Sequence, residues 1–330
     1  MKNLNIKSAL LAFTLLATLV SCDNDYADQK PTIANIAVTN SAFSTLEAAA
    51  IQGGVAGVLS NKNAGDPSGN FTVFAPTNDA FARLGLVDAG SLGALNNTFL
   101  TNTLLYHVSN ANLPSSLIMA GGTSESVLNV GNRFLDRRFI SRGTDKYING
   151  SKIVITDVSA SNGTVHAIDK VMLATGANIV ASAQAVAGGS VFKKPELTFL
   201  VAAVVRSGLA GTLSNPDANF TIYAPTDAAF IATGLFKTVA DVSAADPMLL
   251  QAVLLNHAVP RTGTIKGKFT SEQTALTEMT AGGGTLTYSA FANGTFTVKS
   301  NGTATPANMV IPDIQCTNGV VHVIDKVLVP

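Results

Sequence analysis

The side chains of this 330-residue chain best suited to acid–base or metal chemistry are its four histidines, His107, His166, His257 and His322. Imidazole titrates near neutrality and can ligate a metal through either ring nitrogen. A metal centre needs convergent ligands, and nucleophilic catalysis needs a base within reach of a hydroxyl or thiol. The surroundings are instead aliphatic: Val165 and Ile168 flank His166, and Val321 and Ile324 flank His322. HExxH, GxSxG, CxxC and Gly-rich phosphate loops are all missing from the sequence. The residues therefore predict no catalytic group, no metal and no cofactor. They predict rings that satisfy buried hydrogen bonds, since an unpaired buried polar group costs about 1–3 kcal/mol. A binding role stays open beside that one.

Two acid–base pairs form a second candidate set, Asp169-Lys170 and Asp325-Lys326, placed identically behind the strand runs that carry His166 and His322. They read as a strand-edge charge pair or a bulge, because Ile168 and Val171 cannot share a face under strict alternation. The two cysteines are Cys22 and Cys316. Cys316 aligns with Ala160 and has no evident base or cation beside it, which predicts a small buried apolar role.

The elements that must position these residues occur twice. FTVFAPTNDAF at 71–81 returns as FTIYAPTDAAF at 220–230, LLYH at 104–107 as LLNH at 254–257, and NGTVHAIDKVML from Asn162 as NGVVHVIDKVLVP from Asn318. The offsets are 149, 150 and 156 residues, so the order and the spacing both persist. Ala-rich helical stretches open each copy, at 42–59 and 197–213. Each first motif then predicts a strand ended by Pro76 or Pro225, with Thr77 or Thr226 as a helix N-cap. The leucine runs predict helices ending near His107 and His257, where the helix dipole favours a protonated imidazole. Asn162-Gly163 and Asn318-Gly319 are two-residue hairpin signals. Helices first and strands later within each copy argue for an α+β class.

The N-terminus is set apart. Lys2 and Lys7 precede an apolar run at 9–20, too short for a comfortable membrane span. Leu19-Val20-Ser21-Cys22 resembles a bacterial lipobox, so 1–21 is expected to be a lipoprotein signal peptide and Cys22 its lipidation site. Residues 22–30 then form a tether, and Asp23-Asn24-Asp25 looks like a surface-export tract. Acyl chains would anchor the protein to a membrane at about 0.8 kcal/mol per buried CH₂.

With 21 basic and 21 acidic residues the chain has no footprint for nucleic acid. Its 47% hydrophobic content suffices for two domains, each with its own core, at 31–175 and 176–330. Asn70 and Asn219 open formal glycosylation tripeptides, to which no function is assigned.

The three ordered motifs, TVFAPTNxAF-like, Tyr-His and NGxxHxIDxVL-like, resemble the fasciclin domain in both copies. The resemblance implies two tandem fasciclin-like domains, each a β-sandwich-like wedge flanked by helices, used in adhesion and extracellular-matrix association. It also implies an interaction role for Tyr106, His107 and His257, and for the hairpin pairs Asp169, Lys170, Asp325 and Lys326. Asn256 replaces the family's Tyr in the second copy, which leaves the Tyr-His pair to Tyr106-His107. The expected function is a lipid-anchored protein of the cell envelope, on the outer membrane and open to its surface. Its partners would be envelope or extracellular proteins or polysaccharides. The alternative is capture of glycan or lipid, the latter in an apolar cleft between the domains. The absence of Trp and the presence of only five Tyr remove the usual platforms for sugar stacking.

Overall fold

The first repeat opens with three short helices, α1 (Ile33–Thr39), α2 (Ser44–Gln52) and α3 (Ala56–Ser60). Strand β1 (Phe71–Pro76) leads into α4 (Asn78–Ala82), and α5 (Asn97–Tyr106) carries the LLYH motif. Seven strands follow: β2 (Val108–Ser109), β3 (Thr123–Val130), β4 (Arg133–Arg142), β5 (Asp145–Ile148), β6 (Ser151–Ala160), β7 (Gly163–Ile168) and β8 (Leu173–Ala174). The second repeat starts with α6 (Ile179–Ala187), α7 (Thr198–Arg206) and α8 (Ala210–Ser214), then β9 (Phe220–Pro225), α9 (Asp227–Ala232), α10 (Val239–Ala244) and α11 (Pro247–Asn256). It closes with β10 (Ala258–Pro260), β11 (Thr277–Met279), β12 (Thr285–Tyr288), β13 (Val298–Ser300), β14 (Met309–Cys316) and β15 (Gly319–Ile324). This computed structural model describes residues 30–330, except Gly131, Asn132 and the side chains of 130–134. The expected signal peptide, Cys22 and most of the tether lie outside the described residues.

The motif corners form as the sequence predicts. Thr77 and Thr226 cap their helices through hydrogen bonds from the Ala80 and Ala229 amides. Pro247 occupies the first turn of α11, where its missing N–H is not needed. Strand β1 is buried along its whole length and pairs parallel with β7 and antiparallel with β2. The sheet order is β2-β1-β7-β6-β5-β4-β3 in the first repeat. In the second it is β10-β9-β15-β14-β8, beside a separate β11-β12-β13 sheet.

The hairpins turn one residue earlier than their Asn-Gly signal. Gly163 pairs with Ala160 and Gly319 with Cys316, so each Gly is the first strand residue and each Asn the last of the turn. A Cβ at Gly163 would collide with the Phe71 carbonyl oxygen, and one at Gly319 with that of Phe220. Close strand approach, more than turn geometry, requires glycine there.

Bulges occur, but on the strand opposite the expected one. The register shifts lie in β6 around Asp157 and in β14 around Asp313, both with positive φ.

Each repeat keeps an apolar cluster of its own, around Phe74, Phe139 and Ile168 in the first and around Tyr223, Tyr288 and Ile324 in the second, but a further cluster is shared between them. The shared cluster runs from Ile33 and Phe43 through Leu100 and Leu173 to Phe199, Phe230 and Val327. The physical reason is the segment between α6 and α7. Leu95 and Phe192 form a β-bridge, the Asn96 amide donates to Val191 O at 3.0 Å, and the Lys193 amide donates to Ala94 O at 2.8 Å. Strand β8, at the end of the first repeat, pairs parallel with β14 of the second. Residues Pro31–Pro330 accordingly form one compact unit.

Candidate functional site

All four histidines are buried and each ties two backbone groups together. His107 caps α5: its Nδ1 lies 2.7 Å from Thr103 O, and its Nε2 accepts the Met172 amide at 2.9 Å. His257 repeats this with Val253 O at 2.8 Å and the Leu328 amide at 2.8 Å. His166 accepts the Asp157 amide at Nδ1, 3.2 Å, and donates from Nε2 to Leu113 O, 2.8 Å. His322 does the same with the Asp313 amide, 3.0 Å, and Lys268 O, 3.0 Å. Each ring therefore needs one protonated and one bare nitrogen, the neutral form. Burial pushes the pKa values of His107 and His257 down to about 4, and it lowers those of His166 and His322 as well. The protonated imidazole expected at the helix ends is thus corrected, since desolvation outweighs the helix dipole.

Tyr106 faces the second repeat. It is fully buried, accepts from Asn149 Nδ2 at 2.7 Å and donates to Gln315 Oε1. Gln315 Nε2 in turn donates to Asp136 O at 2.9 Å. Beneath Tyr106 lies Arg137, also fully buried, which donates to Tyr106 O and Glu125 O, both at 2.7 Å, and to Ser109 Oγ. Its guanidinium carbon stands 5.2 Å from the Phe74 ring centroid, and burial pulls its pKa down to about 10. The counterpart Asn256 turns inward and donates to Leu328 O at 2.9 Å.

Lys170 is buried in the junction. Its Nζ lies 2.8 Å from Asp313 Oδ2, 3.1 Å from Thr270 Oγ1 and 2.7 Å from Gly294 O, all in the second repeat. Burial works against the Asp313 carboxylate, but Lys170 outweighs it and holds its pKa below the usual value. Asp169 accepts the Lys152 amide at 2.7 Å and lies 3.6 Å from Arg83. Asp325 accepts the Asn308 amide at 2.7 Å, the same strand-locking contact. Lys326 remains half-buried and donates to Pro306 O at 2.6 Å. The structure thus gathers Tyr106, His107 and Lys170 into or beside the junction and leaves His257, Asp325 and Lys326 apart from it. As buried groups, Tyr106, His107, Lys170 and His257 offer no outward contact.

Several residues that brace each repeat internally had no sequence signal beyond repetition. Asn162 Oδ1 accepts the Ile33 amide at 2.9 Å, while its Nδ2 donates to Leu59 O and Asn61 O at 2.8 and 2.7 Å. Asn318 repeats all three bonds with Ile179, Leu213 and Asn215. Their recurrence was visible, yet it read as turn chemistry. Asp157 and Asp313 recur too: each accepts the amide that opens a short 3₁₀ turn, from Ser115 and from Thr270, both at 2.7 Å. Cys316 is buried, 3.2 Å from Ser182 Oγ, and burial raises its thiol pKa to about 11. Among the described residues, no group of three or more His, Cys, Asp or Glu could hold a metal ion.

A motif set that recurs with its contacts, twice in one chain, is a family signature. A family model described as Fasciclin domain matches residues 41–174 and 195–330. The chain belongs to the fasciclin domain family. It is 37% identical over 150 residues to protein sll1483 of Synechocystis sp., covering 44% of this chain and 75% of that protein. It is 31% identical over 270 residues to the transforming growth factor-beta-induced protein ig-h3 of Oryctolagus cuniculus, covering 79% of this chain but 35% of that protein. Human periostin is 27% identical over 265 residues, of which the match covers 28%. The chain thus spans about a third of these two longer relatives. Among solved structures, a FAS1 domain pair from the insect cell adhesion molecule fasciclin I aligns with a TM-score of 0.40 at 18% identity, covering 90% of this chain and 96% of that one.

In this fasciclin pair the two domains are joined along their length. Arg138 reaches Glu272 at 3.1 Å and stacks over Phe269, and Arg142 donates to Ser271 O and Gln273 O at 3.0 and 2.9 Å. A cleft of about 130 Å³ remains between the domains, lined by Arg83, Lys170, Met309 and Asp313.

Proposed function

We propose that this protein is a non-enzymatic, lipid-anchored envelope protein whose paired fasciclin domains mediate adhesion or protein–protein contact. The single observation that carries this reading is the fate of the reactive side chains. Every histidine, the buried Lys170 and the buried Arg137 are engaged by internal partners, so the outer surface is what remains for function. Membership in the fasciclin domain family favours an adhesive use of that surface. The proposed domains are residues 31–175 and 176–330, behind a signal peptide at 1–21 and a tether at 22–30. Lipidation at Cys22 would hold the protein at the outer membrane, with envelope or extracellular proteins or polysaccharides as partners. Among the described residues no helix is long and apolar enough to cross a membrane, which is compatible with an anchor of this kind.

Capture of a lipid between the domains gains little support. The cleft there, about 130 Å³, is well below the ~300 Å³ at which small-molecule pockets begin, and the Lys170–Asp313 pair stands among its apolar lining.

A pull-down from the native envelope with the purified chain tests the reading. Specific enrichment of envelope proteins or polysaccharide is the expected result, and no enrichment over a bead control overturns it. Cys22→Ala should move the protein out of the membrane fraction; unchanged membrane retention would remove the anchor from the account.

A further inference from the structure

The two domains carry the same groove, filled in one and open in the other. In the first domain Phe81, Leu86, Phe99, Leu100 and Leu104 line it, and only about 10 Å³ is left empty because Phe192 sits in it. Phe192 arrives on an extended segment held by the two backbone bonds to Ala94 and Asn96 described above. The equivalent second-domain residues are Phe230, Leu235, Leu249, Leu250 and Leu254, and they line an open groove of about 460 Å³. At Phe99 and Leu249 exposure tracks the occupant, and at Leu86 and Leu235 it also reflects Phe236, which turns in beside the Phe230 ring where Val87 of the first domain points out. Leu86 is 3% exposed but Leu235 is 70%, and Phe99 is 8% exposed but Leu249 is 50%. Leu235 and Leu249 are apolar groups at positions the fold buries when its groove is occupied.

The repeat also restricts what the occupant can be. The plug is carried by an insertion: twelve residues separate Ile33 from Thr45, but twenty separate the equivalent Ile179 from Phe199. The first domain has no such segment. A second copy docking through its first domain therefore cannot supply the plug, and its second domain has already placed Phe192 in cis. Ala245 and Asp246 stand at the positions of Leu95 and Asn96, which bridge to the plug in the first domain, and Lys326 is among the residues that line the groove itself. Alanine for leucine removes side-chain bulk there, and the exposed Asp246 carboxylate suits the basic flank of the observed plug, Lys193-Lys194, provided that flank runs along Asp246 and not over Lys326.

We infer that the open groove of the second domain is a docking site for an extended segment of a different protein. That segment presents an aromatic side chain to Phe230, Leu235, Leu249 and Leu250 and adds backbone hydrogen bonds along 244–246, with basic residues following. The inference rests on the protein-contact reading above and names the surface and the partner chemistry. The mode is the familiar one in which main-chain bonds give affinity and a pocket for one side chain gives specificity.

The test uses a fluorescein-labelled peptide of this chain's own residues 188–196, GGSVFKKPE, titrated against the purified full chain by anisotropy. Saturable binding is expected, weakened at least tenfold by Leu235→Asp or Leu249→Asp in the protein and by Phe192→Ala in the peptide. Both protein positions are exposed, so the two variants should melt with the parent. Absence of saturable binding, or binding indifferent to both protein variants, overturns the inference. So does oleate binding that Leu235→Asp abolishes in the absence of any peptide binding, which would make the groove a lipid site. Concentration-dependent dimerisation lost in Leu235→Asp would assign the groove to a second copy and likewise overturn it. If the envelope pull-down succeeds while the peptide fails, the protein-contact reading stands and this groove assignment alone falls.

Discussion

Lys170 of the first domain and Asp313 of the second meet at 2.8 Å in the buried seam between the domains. Thr270 completes the arrangement, donating to the same carboxylate from its amide and its hydroxyl, both at 2.7 Å. Gly150 faces this carboxylate so closely that any Cβ there would strike it. A lysine that the repeat pattern marks as one of an equivalent pair thus does work its twin does not, since Lys326 bonds within its own domain, to Pro306 O.

Removing one partner of this pair should cost far more than removing an exposed ion pair. Lys170→Met leaves the Asp313 carboxylate buried without its cation, at an expected cost of about 3–5 kcal/mol. The double variant Lys170→Met/Asp313→Leu should recover most of that loss. Urea unfolding of the three proteins is the measurement, and a single-variant cost under about 1 kcal/mol would place the pair with ordinary surface bridges.

Acid should weaken the fold well above the carboxylate range. In the folded protein His107 and His257 take up a proton only at about 4, whereas the unfolded rings do so near 6.5. Stability is therefore whole above pH 6.5 and falls as the pH drops through that window towards 4. Each ring accounts for roughly 3 kcal/mol of the loss. Glu278, held at about 2 with Arg261 and Lys268 as its charge partners, keeps its contribution until the pH falls below 4.5. Urea midpoints at pH 7.5, 5.5 and 4.5 should decline progressively, and His257→Gln should flatten the decline. Equal midpoints across this range would contradict the neutral-ring assignment.

Asn318→Ala should cost about 2–4 kcal/mol, because it strands the Ile179 amide and two carbonyls in a buried site. Asn162→Ala should behave alike in the first domain. Asn318→Asp keeps an acceptor for Ile179 but sets a buried carboxylate oxygen against the two carbonyls, and should cost at least as much as alanine. Thermal denaturation ranks the variants; an alanine variant melting with the parent would reduce both residues to turn formers.

Phe192→Ala should open the first-domain groove and destabilise α5, although the residue lies beyond that domain in sequence. A loss of about 2–3 kcal/mol is expected for a half-buried phenylalanine. Hydrogen exchange along 97–106 reads it directly, and unchanged protection there would show that the plug is not needed.

Most of the fold was legible because it was written twice. Thr77 and Thr226 as caps, Pro247 as a helix start and the buried strands at 71–76 and 220–225 all follow from local chemistry repeated at matching offsets. The seam was not legible. Lys170, Asp313, Gln315 and Tyr106 meet only because one domain lies against the other, and no local rule or repeat period encodes that pairing. The repeat even misdirects here. It presents Asp157 and Asp313 as equals, although Asp157 serves its own domain's turn and Asp313 also receives Lys170. The same holds for the histidines at the ends of α5 and α11. Their helix-end position argued for charge, and only the surrounding burial decided for the neutral ring.

The most direct test of the account pairs envelope association with melting temperature in His107→Ala, both measured on the same preparation. The motif histidine should act only as a staple between Thr103 and Met172. The account predicts a lowered melting temperature and, at temperatures where the variant stays folded, unchanged association with envelope partners. Association lost at an unchanged melting temperature would contradict it and return the Tyr106-His107 pair to the binding surface.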